Sequence, residues 1–270
     1  MKTKKALIII ASFLPFLVVS QIKKEEFLNI NTKVKHSDIQ AFKNGETLEY
    51  LVYYGFVDAG IAKLEVKEEP NKFTKKGNVY RVIGTGESKG AFNWFFKVRD
   101  RYETYIDKED LSPHLFIRDI QEGGYKKKQD YTFNQKENKV LTNKGKTFEI
   151  PEKTQDMLSA FYFGRTLDFS NAKEGEVFII ESFVDDEVYP LKIRFAGTEV
   201  ITTKTGTYDC MVFHPVVQQG RIFKKEDDLT VWITNDHNKI PVLAKAKVLV
   251  GSIKMELINY KGLNNPVARR

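Results

Sequence analysis

The chain has 270 residues, 41% hydrophobic and 29% charged, the balance of a folded protein with room for one large β domain or two smaller ones. Its formal charge of +7 falls to about +4 once Lys2, Lys4 and Lys5 leave with the N-terminal segment, too weak a bias for a nucleic-acid-binding surface. A single cysteine, Cys210, excludes an internal disulfide framework.

Lys2, Lys4 and Lys5 precede an apolar run from Ala6 to Val19, broken by Pro15 and followed by the small residue Ser20. That is the pattern of a secretory signal peptide (1–20) cut before Gln21, and the run is shorter than the ~18–20 residues a spanning helix needs. No cysteine stands at the end of the run, which argues against a lipid-anchored form. No other stretch is apolar enough to span a bilayer, so the mature chain is expected to be exported and soluble, in the periplasm or secreted. Residues 21–45 are charged, lack a sustained period and end in the turn Asn44-Gly45, as a leader does.

A single β-rich domain over 46–260 follows. Thr47–Phe56 is apolar on both faces, as a central covered strand is. Ile61–Lys67 alternates strictly and reads as its half-buried hairpin partner. Val79–Glu87 is a third strand, and its Gly84-Thr85-Gly86 lacks the spacing of a dinucleotide loop, so a bulge or bend is expected there. Ala91–Phe96 packs aromatics into a short turn, which suggests either a plug for the end of a barrel or the lip of an apolar site. Lys126, Lys127 and Lys128 lie on a strand that reads as a solvated edge.

Two passages resemble each other. Arg101–Pro113 and Leu229–Pro241 each run from an alternating aromatic strand through an aspartate (Asp107, Asp236) to an apolar residue and a proline that opens the next strand. Two halves, 46–150 and 151–260, related by duplication are one reading of this pattern. Between them Thr154–Arg165 carries the only convincing helical spacing after the N-terminus. Met157, Phe161 and Gly164 form one stripe with Leu158 and Tyr162 beside it, and Thr154 or Asp156 is placed to cap it. Further strands follow to Tyr260, and 261–270 reads as a frayed tail. The fold class is therefore mainly β: a large curved antiparallel sheet or half-open barrel with one short amphipathic helix on its concave face.

No chemistry is specified. The histidines are scattered, Cys210 sits in an apolar strand, and no nucleophile elbow, phosphate loop or zinc motif occurs. The carboxylates Asp185-Asp186-Glu187 and Glu226-Asp227-Asp228 are what solvated turns carry. No catalytic, metal or cofactor site is assigned.

The chain resembles a family of exported bacterial proteins known as domain of unknown function 3108. The resemblance rests on Gln155-Asp156-x-Leu158-Ser159-Ala160-x-Tyr162-x-x-Arg165, on Phe96-x-Val98-x-Asp100-x-Tyr102-x-Thr104-Tyr105-Ile106-Asp107, and on Trp232-Ile233-x-x-Asp236-x-x-x-x-Pro241-Val242. It implies export and a fold similar to the half-open barrels of periplasmic lipoprotein carriers. No activity comes with it. The expected function is non-enzymatic, binding a lipid or other apolar small molecule, or an envelope protein, with Phe92, Trp94, Phe95, Met157, Phe161 and Tyr162 as candidate ligand-lining residues. Asp156, Ser159 and Arg165 are candidates for anchoring the helix. The alternatives are a structural interaction module with a filled core and a hydrolase of envelope glycans or lipids.

Overall fold

The computed structural model describes residues 30–31, 40–216 and 228–270. The expected signal peptide, most of the leader, His36, Glu226 and Asp227 lie outside them. The first part of the chain forms β1 (Ile30–Asn31), β2 (Thr47–Tyr54), β3 (Val57–Pro70), β4 (Asn78–Ser88), α1 (Phe92–Phe95), β5 (Val98–Asp107), β6 (Pro113–Glu122), β7 (Tyr125–Asn134), β8 (Lys139–Thr142) and β9 (Thr147–Glu149). The rest forms α2 (Met157–Arg165), β10 (Val177–Val184), β11 (Glu187–Thr203), β12 (Gly206–Pro215), β13 (Leu229–Thr234), β14 (Pro241–Lys247) and β15 (Ser252–Lys261).

All strands join one sheet, in the order β1-β10-β11-β12-β13-β14-β15-β2-β3-β4-β5-β6-β7-β8-β9. Each pairing is antiparallel except the two-residue parallel pairing of β1 with β10. Strands 2–9 and 10–15 each run in sequence order, and β15 joins β2 where the two series meet. A sheet this wide has to curl to bury its apolar face. It does so around α2, which touches β10 near one end of the order and both β4 and β5 in the middle. The sheet does not close into a barrel.

The two similar passages occupy equivalent places. In each, the register slips by one residue opposite the proline, at Tyr105/Ile106 facing Pro113 and at Trp232/Ile233 facing Pro241. In each, the residue two before the proline has a positive φ, 60° at Leu111 and 46° at Lys239. The aspartate oxygens accept from the turn amides of Glu109 and Asn238.

Four expectations need correcting. No bulge interrupts Gly84-Thr85-Gly86, since β4 keeps unbroken register with β3 and β5. Gly84 serves helix approach instead: a Cβ there would lie 3.3 Å from Leu64 and 3.8 Å from the Leu158 side chain of α2. The lysine-rich strand β7 is interior to the sheet, between β6 and β8. Residues 261–270 are fastened. Gly262 lies against the Gly45 carbonyl, Asn265 donates to Gln40, and Arg270 pairs with Asp209 at 2.9 Å. The last part of the leader also belongs to the core, with Ala41 and Phe42 buried.

Candidate functional site

Helix α2 is held at both ends by polar contacts in the interior. Asp156 is its N-cap. One carboxylate oxygen accepts from the Leu158 and Ser159 amides at 2.8 and 2.9 Å, and the Ser159 hydroxyl accepts in return from the Asp156 amide. The other carboxylate oxygen accepts from Thr104 of β5 at 2.6 Å. Burial pushes Asp156 up to about 6, even though each of these donors favours the ionised form. Gln155, one residue earlier, bridges to β10: its amide donates to the Glu181 carbonyl and its carbonyl accepts from the Phe183 amide, both at 2.8 Å. Asp156→Ala should cost about 2 kcal/mol, because it removes a cap and leaves buried donors unpaired. Asp156→Asn, which keeps an accepting oxygen, should cost less. Urea unfolding midpoints check both.

At the other end, the buried Arg165 guanidinium makes a two-pronged pair with Glu46, at 2.6 and 2.8 Å. It also donates to the carbonyls of Asn238 at 2.9 Å and Ala41 at 3.1 Å. Its Cζ lies over the rings of Phe42, Phe161 and Tyr162, 5.1–5.8 Å from their centroids. One side chain thus joins the helix to the segment entering β2 and to the β13–β14 turn.

The six candidate ligand-lining residues separate into two groups. Met157 and Tyr162 are packed in the core, and Phe161 is half-buried between two small apolar cavities. One, of about 20 Å³, is bounded by Tyr50, Leu64, Gly84 and Met255. The other, of about 60 Å³, is bounded by Gly164, Phe169, Ile180, Leu191 and Lys239. A dry cavity that binds benzene measures about 150 Å³, so neither space accommodates an acyl chain. Phe92, Trp94 and Phe95 border neither cavity. They form α1, where Trp94 is 90% and Phe95 83% exposed. The expected plug is therefore not one. Phe96 turns inward, packing with Val98 and the half-buried Phe92, and its ring lies against Gly123.

α1 belongs to an apolar end of the sheet. The turn between β2 and β3 exposes Phe56 and Val57, and the turn between β14 and β15 exposes Leu249 and Val250. Contacts tie these turns together. The Tyr54 hydroxyl donates to the Val250 carbonyl at 2.7 Å, the Tyr54 ring lies 6.1 Å from that of Phe92, and the Gly55 amide donates to Ser252.

Behind the same end lies a polar network that runs from the exposed β10–β11 turn into the interior. Asp185 and Asp186, at the β10–β11 turn, both have positive φ, as a type I′ hairpin turn requires. Asp185 stays exposed, as expected, and Asp186 is half-buried, and both also reach across to β6 and β7. Asp185 pairs with Arg118 and with Lys127 (2.7 Å), and Asp186 accepts from the Tyr131 hydroxyl at 2.8 Å. This latch fastens the β10–β11 turn, near one end of the strand order, to β6 and β7, near the other. Beside Arg118, the carboxyl groups of Asp100 and Glu122 adjoin in the interior. Asp100 Oδ2 and Glu122 Oε1 find no other donor among the described residues. Burial, first, and then the charge of Asp100 push Glu122 well above the usual carboxylate range; burial also raises Asp100. A proton shared by the pair satisfies both oxygens. Cys210 is buried, and burial pushes its thiol up to about 12. Among the described residues no group of three or more His, Cys, Asp or Glu is arranged to hold a metal, and no helix is long and apolar enough to cross a membrane.

Sequence reasoning missed Glu46 and the Asp100–Glu122 pair, because each partnership depends on topology. It missed the exposed end because three separate apolar turns had to be brought together. The alternation of Val98, Asp100 and Tyr102 did carry a signal: it puts a carboxylate on an inward face.

A curled, open, antiparallel β-barrel-like sheet around one capped helix defines the class. The first residue of the match is Glu49 and the last Ile258: over 49–258 the chain matches the family described as "Protein of unknown function (DUF3108)", and it belongs to that family. No curated protein matches it. Among solved structures it is similar to a β-barrel-like protein of domain of unknown function DUF1849 from Brucella abortus, with a TM-score of 0.51 and 9% identity, over 83% of this chain and 100% of that one. A candidate lipoprotein from Parabacteroides distasonis aligns over 83% of this chain and 99% of its own at a TM-score of 0.31 and 13% identity. A candidate exported protein with a YmcC-like fold from Bacteroides fragilis aligns over 83% and 98% at 0.33 and 11%.

Proposed function

We propose that the protein is an exported, non-enzymatic component of the bacterial envelope that docks on an envelope partner through the apolar end of its sheet. The observation that carries this reading is the pairing of two interior cavities beside α2 that are too small for an acyl chain with Trp94 and Phe95 standing in solvent. Isolated apolar residues on a surface need no explanation, but a contiguous apolar patch marks an interaction site. The basic and apolar N-terminus, Lys2 to Ser20, supports export to the periplasm. Helix α2 and its polar anchors then serve rigidity: they hold the curled sheet so that the turns at its end stay in register.

A photo-crosslinking side chain at position 94, introduced in the producing cell, tests this. Adducts to an envelope protein or lipid are expected, and their absence overturns the docking reading. Native mass spectrometry of protein purified from its own periplasm provides a second test. No stoichiometric lipid is expected in the interior. A lipid that co-purifies equally with wild type and with the Trp94→Ser/Phe95→Ser variant would restore the carrier reading.

A further inference from the structure

Resting on that docking reading, we propose that the partner is a bilayer surface rich in anionic lipid, which the three turns meet edge-on. The first ground is shape. Phe56, Trp94, Phe95 and Val250 sit at the tips of successive turns, at the end of the sheet rather than on its face. Tips projecting along the strand direction fit a broad soft surface better than a groove that receives one strand or helix. Trp and Phe side chains are suited to the region between headgroups and acyl chains, where a large apolar ring can be buried without crossing the bilayer.

The second ground is charge. Exposed lysine stands beside each of the two larger apolar turns: Lys89 and Lys97 flank α1, and Lys247 precedes Val248-Leu249-Val250. The three turns (54–58, 89–97 and 247–252) carry one acid, Asp58. Lysines beside inserting apolar residues are the arrangement an anionic lipid surface attracts, each cation adding to the affinity within a Debye length of the headgroups. A protein partner with an apolar pocket would need no such lysines beside it.

The third ground is rigidity. The Tyr54–Val250 and Gly55–Ser252 hydrogen bonds and the Tyr54–Phe92 ring contact fix the turns relative to one another. Phe96, packed against Gly123, anchors the base of α1. The apolar tips are thus presented together, with little conformational freedom left to lose on contact.

The test is flotation of the purified mature chain with large unilamellar vesicles, of phosphatidylcholine alone or with phosphatidylglycerol. Binding to the anionic vesicles is expected to exceed binding to the neutral ones by at least about tenfold and to weaken with added salt. Trp94→Ser/Phe95→Ser should reduce it by about tenfold or more, as should Lys89→Glu/Lys97→Glu/Lys247→Glu. Val200→Ser, an exposed apolar residue near the opposite end of the sheet, should leave it unchanged. These side chains are exposed, so the variants should keep the wild-type circular dichroism and melting temperature. Wild type that fails to float with anionic vesicles overturns the proposal, as does binding that the Trp94/Phe95 variant retains. Crosslinks from position 94 to protein alone also overturn it, while leaving the docking reading intact.

Discussion

Arg165→Met should destabilise the protein by about 3–5 kcal/mol, the loss expected when one partner of a buried ion pair is removed. The cost comes mainly from what stays behind. Glu46 is as buried as Arg165, and both its oxygens accept from the guanidinium. Without that partner its charge has neither water nor a counter-ion, and the carbonyls of Ala41 and Asn238 lose donors as well. Lysine at this position should recover only part of the loss, because one ammonium cannot reproduce the planar fork that serves Glu46 and two carbonyls. The double variant Arg165→Met/Glu46→Leu should be markedly more stable than Arg165→Met alone, since it removes the stranded charge. Urea unfolding of the four proteins measures this. A cost below about 1 kcal/mol for Arg165→Met would mean that the pair only breaks even and that packing alone holds α2 in place. Hydrogen exchange should show the first effects at residues 40–46 and the 235–240 turn, the two segments that Arg165 joins to the helix.

The local rules read this chain well, and the long-range pairings escaped them. The helix was legible because Met157, Leu158, Phe161 and Tyr162 repeat at helical spacing after an acceptor side chain, and α2 starts at Met157 with Asp156 as its cap. The repeated aspartate-to-proline passages were legible because a turn leaves the same marks wherever it occurs. Gly84 was misread. A glycine in a strand signals either a break in pairing or a close neighbour, and only the position of Leu158 in space decides between them. Trp94 and Phe95 were misread in the other direction. Buried residues are mostly apolar, but apolar residues are not all buried, and nothing within 91–96 says whether its turn faces inward or out. Arg165 stood out as part of a motif, yet its partner lies 119 residues earlier, and the sheet order that brings them together is not visible in either neighbourhood.

Raising the pH from about 5 to 9 should weaken the fold, and the buried carboxyl pair sets the sign. In the folded chain Asp100 and Glu122 hold protons more tightly than their ordinary values of 3.8 and 4.5 allow, because both are buried and Glu122 also faces the charge of Asp100. Asp156 is displaced the same way, to about 6. A raised carboxyl contributes stability that is fully present below its unfolded value and is lost as pH climbs through its folded one. The loss therefore begins above about pH 4 and continues through the neutral range. Arg118 moderates it, though its own hydrogen bonds go to Asp185 and Gln129. Asp185 works the opposite way. Burial alone would lift it, but Arg118 and Lys127 hold it below its ordinary value, so its contribution disappears in acid. The acid loss through Asp185 lies below about pH 4, so between pH 5 and 9 the decline set by the raised carboxyls prevails. Glu122→Gln keeps the shape, removes one titrating group and offers Asp100 a donor that needs no shared proton. At pH 9 it should be more stable than wild type by on the order of 2 kcal/mol, and its stability should vary less between pH 5 and 9. Urea unfolding at a series of pH values decides the matter. Equal wild-type stability at pH 5 and 9, or a Glu122→Gln variant with the full wild-type slope, would show that the pair loses its proton without cost, and so that water reaches this corner of the sheet.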